Sequence, residues 1–123
     1  MTYLLLAAFG AAGTVSRYAL DRWISDLTHG RFPWGTFVVN LLGSFALGLV
    51  VALTTERLLP HPNWRLALGV GYLGSFTTFS TYAYESVRLA EDGALGLALL
   101  NSVGMLALGL TAALCGLALG RTL

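Results

Sequence analysis

With 123 residues, 56% hydrophobic and 11% charged side chains, a net charge of +1 and a mean hydropathy of +0.73, this chain falls outside ordinary soluble domains, which carry about 25% charge. The near-zero charge argues against a nucleic-acid partner, and the single cysteine rules out an intrachain disulfide. The composition predicts an all-α membrane protein: one four-helix transmembrane domain over residues 1–123, multi-pass in the lipid bilayer, with no room beside its apolar segments for a soluble domain.

A membrane-crossing helix takes about 20 mostly apolar residues, and four stretches qualify. Residues 1–16 are uncharged and extend through Arg17 to give a first helix over 3–20. This stretch lacks a basic leading region and its apolar pattern runs on to Leu20, so it reads as a retained helix rather than a cleaved signal. A loop over 21–33 carries Arg22, Asp26 and Arg31. The second helix spans the uncharged residues 34–55. A polar turn over 56–64 contains Pro60 and Pro62, which terminate helices. The third helix covers 65–90, with a break around 74–78. Glu91, Asp92 and Gly93 form the last turn, and the fourth helix runs over 94–119.

The third segment is apolar enough to cross a bilayer, yet it is a poor helix. Gly69, Gly71 and Gly74 each cost roughly 1 kcal/mol relative to alanine. Thr77, Thr78 and Thr81 are β-branched, and Ser75 and Ser80 offer competing hydroxyls. Irregular backbone at membrane depth is tolerated only where protein buries it or where it lines a watery cavity. This is where a small solute is expected to be handled.

Polar groups elsewhere in the spans are few. Asn40 is a lone amide in a hydrocarbon segment, costly without a partner; it serves either as packing glue or as a donor aimed at a solute pathway. Arg17 either snorkels to the headgroups or sits at a pore mouth, drawing in anions or pinning loop groups. The acidic residue nearest the membrane interior is Glu85, toward the end of the third helix. His29 and His61 stand alone in loops without a second metal ligand, and Cys115 reads as a small buried hydrophobe. No nucleophile–base pair or metal cluster stands at depth, so an enzyme is not expected. Thr36, Asn40, Ser44 and Gly48 share one face of the second helix, Gly10, Gly13 and Arg17 share one of the first, and the fourth carries Gly104, Gly109, Gly116 and Gly120. Such small and polar stripes suit close helix contacts and an oligomer. Counting Arg57, Arg65 and Arg121 on one membrane side and Arg22, Arg31 and Arg88 on the other gives three against three. That balance reads either as a weak orientation signal in a small protein or as insertion in both orientations.

Three motifs, GAAGTVSRY (10–18), GTFVVNLLGSFALG (35–48) and GYLGSFTTFSTY (71–82), together resemble the CrcB/Fluc family of fluoride channels. The resemblance covers the first three helices; the fourth matches only in length and small-residue content. It implies an antiparallel dual-topology homodimer in a bacterial inner membrane, with two narrow fluoride pores and a structural Na⁺ where the two third-helix breaks meet. Carried onto this sequence, it implies Phe76, Phe79 and Asn40 in the pore, with Thr78, Ser80 and Ser102 as further pore residues, Arg17 at the vestibule, and backbone carbonyls of Gly71 and Gly74 around Na⁺. The chain departs from the pattern in one place. Similar proteins carry a Tyr about four residues before a pore-lining Ser on the fourth helix; if Ser102 is that Ser, the Tyr position holds Ala98, and the polar track falls to Asn101 and Thr111 at weaker spacing.

The residue chemistry agrees with that implication. A pore for a small, strongly hydrated anion must replace its water with donors. Neutral amide and hydroxyl donors allow release where a full positive charge would hold the ion. Aromatic ring edges are weakly positive, and on an unbroken helix Phe76 and Phe79, spaced i, i+3, share a face. Two other functions also suit a small membrane protein, a small multidrug-type exporter and a non-transporting assembly subunit. The first generally needs an intramembrane carboxylate, and the second predicts no flux.

Overall fold

The computed structural model describes residues 1–57 and 61–123, with Glu56 and Arg57 described in backbone only. Among the described residues the chain is all-helical. α1 spans Thr2–Leu27 and α2 spans Trp34–Ala52, continued by a π-helical turn at Leu53–Arg57. α3 covers 62–76, most of it wound with the wider i→i+5 pattern at Arg65–Leu73. α4 is Phe79–Glu91, and α5 is Leu95–Thr122 with a π-turn at Leu100–Gly104.

Among the described residues three helices are long and apolar enough to cross a membrane, Thr2–Leu27, Trp34–Thr55 and Leu95–Thr122. The segment expected to form the third span folds as two shorter helices, α3 and α4, interrupted at Thr77 and Thr78, which are extended (φ −85°, ψ 157° and φ −147°, ψ 114°). The break therefore lies at the end of the 74–78 window that the Gly, Thr and Ser content marked.

The first helix is longer than expected, ending at Leu27 and not at Leu20. Nothing in 21–27 breaks a helix, so the charges at Asp21, Arg22 and Asp26 set where apolar burial stops, not where the helix stops. Its end is closed by Thr28, whose N–H and hydroxyl both donate to the Ile24 carbonyl at 2.9 and 2.8 Å. The turn expected over 56–64 lies partly outside the described residues. Pro60 is among those outside, as is the Arg57 side chain, while Pro62 opens α3 and His61 caps it by accepting from the Asn63 N–H at 3.3 Å. The end of α4 is turned by Gly93, whose φ of +79° favours glycine. The N–H groups of Gly93 and Ala94 return to the carbonyls of Ala90 and Leu89, a closure that satisfies the last turn.

α2 packs along α5, α1 packs on α3 and more lightly on α2, and α4 rests on the first half of α5. Small residues set these approaches. A methyl group at Gly13 would meet the Tyr72 carbonyl, and one at Gly116 the Phe45 carbonyl. The small-residue stripes of α1, α2 and α5 are thus used within one chain, so they do not by themselves call for a second copy. A buried cluster of Val39, Leu73 and Phe76, flanked by Leu20, Ala46, Val50 and Tyr72, joins α2 to α3. Large apolar side chains cover much of the outside, including Val15, Tyr18, Leu106 and Leu110, each more than 60% exposed. Cys115 is among the exposed residues, not buried as its type suggests.

Candidate functional site at the helix break

In an unbroken helix each N–H reaches the carbonyl four residues back. Extended Thr77 and Thr78 interrupt that ladder in the middle of the protein. The Thr77 N–H and hydroxyl still reach the Leu73 carbonyl, both at 3.1 Å. Thr78 N–H, which would reach Gly74, donates to Asn40 Oδ1 at 2.8 Å, and Asn40 Nδ2 donates to the Thr78 carbonyl at 3.0 Å. Asn40, 8% exposed on α2, therefore clamps both backbone groups of one residue. Thr81 N–H, which would reach Thr77, donates to Thr78 Oγ1 at 3.3 Å, an N-cap for α4. Arg17 donates from Nε to the Ser75 carbonyl at 3.3 Å, so the α1 cation pins the end of α3.

A cavity of about 360 Å³ opens beside the clamp, lined among others by Asn40, Ser44, Thr77, Thr78, Phe79 and Tyr82. Asn40 carries a second amide N–H beyond the one given to Thr78, and it belongs to this lining. The clamp and the donor role, opposed in the sequence reading, are compatible in one side chain.

The structure brings Asn40, Thr78 and Phe79 to this cavity. It does not bring Phe76, Ser80 or Ser102 there. Phe76 and Phe79 do not share a helix face, because the break separates them and the i, i+3 argument needs an unbroken helix. Phe76 ends α3, is 8% exposed, and stacks on Tyr72 with centroids 6.0 Å apart. Phe79 begins α4 and is 79% exposed. Ser80 is exposed. The Ser102 hydroxyl donates to the Ala98 carbonyl at 2.7 Å, and the residue lines a separate groove of about 400 Å³ with Ser86, Val87 and Leu99.

Gly71 is buried against α1, while Gly74 is exposed. The Gly74 N–H is shared between the carbonyls of Gly69 and Gly71, so the Gly71 oxygen already has one partner. Gly74 and Thr77 are the carbonyls whose helical donors have been diverted, to Asn40 and to Thr78 respectively.

Two pairings have no counterpart in the sequence analysis, and Asn101, named there for a polar track, takes a definite place. Thr36, read only as part of a stripe, donates to Glu85 Oε1 at 2.9 Å, linking α2 to α4. The other Glu85 oxygen is buried without a partner among the described residues, and the pair borders a polar cavity of about 340 Å³ with Asp21 and Arg31. Tyr82 donates from its hydroxyl to the Ser102 carbonyl at 2.5 Å. Asn101, 1% exposed, donates to Ser86 Oγ at 2.8 Å and extends the same seam. An Asn in an apolar run is a signal for such a seam; the Thr–Glu pairing has none in sequence.

A family model described as CrcB-like protein, Camphor Resistance (CrcB), matches residues 4–117. The chain is 46% identical over 121 residues to the fluoride-specific ion channel FluC of Solibacter usitatus, covering 98% of this chain and 99% of that one. It is 46% identical over 121 residues to the protein of the same description from Thermus thermophilus, covering 98% and 94%. With the one from Geobacter sulfurreducens it shares 42% identity over 122 residues, covering 99% and 98%.

Proposed function

From its membership of the CrcB family, to which this chain belongs, we propose that the protein is a fluoride-selective ion channel, carrying fluoride passively out of the cell down its electrochemical gradient. The observation that carries this reading is the clamped break. It presents the Asn40 amide and the Ser44 hydroxyl as neutral donors beside an exposed aromatic ring, in one cavity whose described lining holds no carboxylate, while the Thr77 and Thr78 hydroxyls are given to the Leu73 carbonyl and Thr81 Oγ1. A dehydrated fluoride needs such donors, and neutral ones let it leave again. The N-terminus of α4 adds the positive end of a 13-residue helix at the same place. The 360 Å³ space lies open along the chain surface, and Phe79 projects outward from it.

That outward projection supports the finer architecture. We propose that α3 and α4 together form the broken third of four membrane spans, and that a second copy, inserted antiparallel, closes the cavity against Phe79. In that assembly Phe76, Ser80, Ser102 and the vestibule Arg17 take the places the resemblance gives them. The bacterial inner membrane is the proposed location.

A structural Na⁺ fits the break on the chemistry of its oxygens. Carbonyls at the C-terminal end of a half-helix suit a small monovalent cation, and the Gly74 carbonyl is released from its helical partner by the Asn40 clamp. Gly71 offers its second lone pair, and the Thr77 carbonyl is released in the same way as Gly74. When bound, Na⁺ would neutralise these oxygens where two breaks meet.

The test is fluoride release from proteoliposomes, followed with a fluoride electrode beside chloride-loaded controls. Fast fluoride release without chloride release, abolished by Phe79→Ile, is expected. Verified folded protein that releases no fluoride refutes the reading.

A further inference from the structure

We propose that the cavity between the α1–α2 loop and the end of α4 binds the headgroup of a phospholipid that carries a primary ammonium, with its phosphate on Arg31 and Arg88 and its ammonium on Asp92. The inference rests on the membrane-spanning reading of α4 and is independent of which ion the protein carries.

The cavity measures about 160 Å³ and is lined by Arg31, Pro33, Glu85, Arg88, Leu89 and Asp92. Both signs of charge border one small space, yet among the described residues neither arginine forms an ion pair. Exposed arginine–carboxylate pairs gain little. A phosphate gains more, because the guanidinium can give it two parallel N–H bonds. The space has the room of about five waters at their liquid share of about 30 Å³, enough to seat one phosphate group.

The basic groups are held where the cavity needs them. Arg88 stands in the last turn of α4, with Asp92 just past its end. Arg31 comes from the loop, and that loop is fixed on both sides of it. Gly30 takes a φ of +150°, a conformation that favours glycine. The Trp34 N–H donates to the Phe32 carbonyl at 2.9 Å, and the Phe32 ring packs on Trp34 and Phe37 with centroids 4.6 and 5.2 Å away. Arg31 lies between these two set residues, so its backbone is not free to withdraw from the cavity.

Position selects the ligand. Trp34 opens the apolar span Trp34–Thr55 and is 43% exposed, the place at the end of a span that aromatic side chains take at the membrane–water interface. One turn back from Arg88 toward the break, on the same face of α4, Tyr84 is 63% exposed. A basic site at headgroup depth with an apolar flank suits a lipid phosphate. The carboxylates narrow the class further. A headgroup with negative charge alone would set it beside Glu85 and Asp92 with nothing to offset them. A trimethylated ammonium has no N–H to give. A primary ammonium, like that of lysine, offers three donors.

The experiment is native mass spectrometry of the full-length protein released from detergent micelles, titrated with phosphatidylethanolamine, phosphatidylcholine and phosphatidylglycerol of identical acyl chains. Phosphatidylethanolamine is expected to bind about fivefold tighter than either of the others, the worth of one net hydrogen bond. Arg31→Gln and Arg88→Gln should each weaken it about tenfold, the loss of a charge-assisted contact. Arg22→Gln, which changes an exposed arginine of α1 outside the lining, should weaken it by less than about twofold, as for a distant surface charge. Asp92→Asn should remove the preference for phosphatidylethanolamine over phosphatidylcholine and leave phosphatidylcholine binding unchanged. Equal binding of the three lipids, tighter phosphatidylglycerol, or equal losses in Arg22→Gln and Arg88→Gln overturns the proposal. The substituted side chains are all exposed, so the variants keep the fold, and circular dichroism checks it. Fluoride release from the same preparations keeps the readings apart: protein that releases no fluoride overturns the channel reading, while the lipid titration still decides this one.

Discussion

Asn40→Ala removes both bonds of the clamp at Thr78, the 2.8 Å acceptor contact and the 3.0 Å donor contact. Interhelical hydrogen bonds in membrane proteins average about 0.6 kcal/mol and reach about 1.7, so two of them are worth roughly 1–3 kcal/mol. The upper half of that range applies here. Thr78 N–H has no helical acceptor to fall back on, since extended Thr77 lies between it and Gly74. A buried donor left without a partner costs about 1–3 kcal/mol. The two figures describe the same loss and do not add, giving an expected destabilisation of about 2–3 kcal/mol. The assay is SDS-induced unfolding in mixed micelles followed by far-UV circular dichroism. Thr111→Ala is the control, because that exposed hydroxyl bonds back to the Ala107 carbonyl within its own turn. A loss below about 0.5 kcal/mol for Asn40→Ala, the level of an ordinary surface change, would refute the clamp as a structural element. Fluoride release should fall with it, since the same amide lines the cavity.

Three further outcomes follow from the geometry. Gly116→Val places methyl groups against the Phe45 carbonyl on α2; overpacking of this kind costs about 1–3 kcal/mol or more, and a smaller yield of monodisperse protein by size-exclusion chromatography is expected. Arg17→Ala releases the Ser75 carbonyl and should destabilise by about 1.5 kcal/mol, the low end for a charge-assisted bond; Arg17→Lys, which keeps the charge, should recover part of it in the same unfolding assay. Replacing Na⁺ with N-methylglucamine should lower the thermal midpoint of purified protein, with stability rising by about 1.4 kcal/mol per tenfold of Na⁺ above its dissociation constant; a midpoint independent of Na⁺ counts against the cation at Gly71, Gly74 and Thr77.

What the sequence made legible was set by local chemistry. Charge-free runs marked the long apolar helices, and the Gly, Thr and Ser content of 69–81 marked the break. The end of α1 was misjudged because a charged residue limits burial in lipid without stopping a helix, and 21–27 holds no breaker. Phe76 and Phe79 share a face only on an unbroken helix, and the break that the composition marks falls between them. Asn40 was recognised as costly, but its partner is a backbone group 38 residues away, and no spacing rule reaches that far. Thr36 with Glu85 and Tyr82 with Ser102 were invisible for the same reason, since each pairing depends on how α4 lies against α2 and α5.

The electrostatics of the break follow from these same contacts. Interrupting a helix puts the negative end of α3, about −0.5 charge, beside the positive end of α4, about +0.5. Alone, these would nearly cancel. Arg17 changes the balance by placing its guanidinium on the Ser75 carbonyl at the α3 end, which leaves the α4 end and the Asn40 amide as the uncompensated positive groups on the cavity side. The arginine faces a carbonyl and is absent from the cavity lining, so it raises the potential for an anion without becoming its ligand. A cation held by contact would trap fluoride; one held a helix away, with neutral donors at the cavity itself, favours entry and still permits exit. The same arrangement explains why Asn40 clamps Thr78 at both backbone groups: if the amide let go, the Thr78 N–H and carbonyl would lose their partners with no helical acceptor in reach, and the geometry that presents the Asn40 amide and the α4 N-terminus to the cavity would be lost with them.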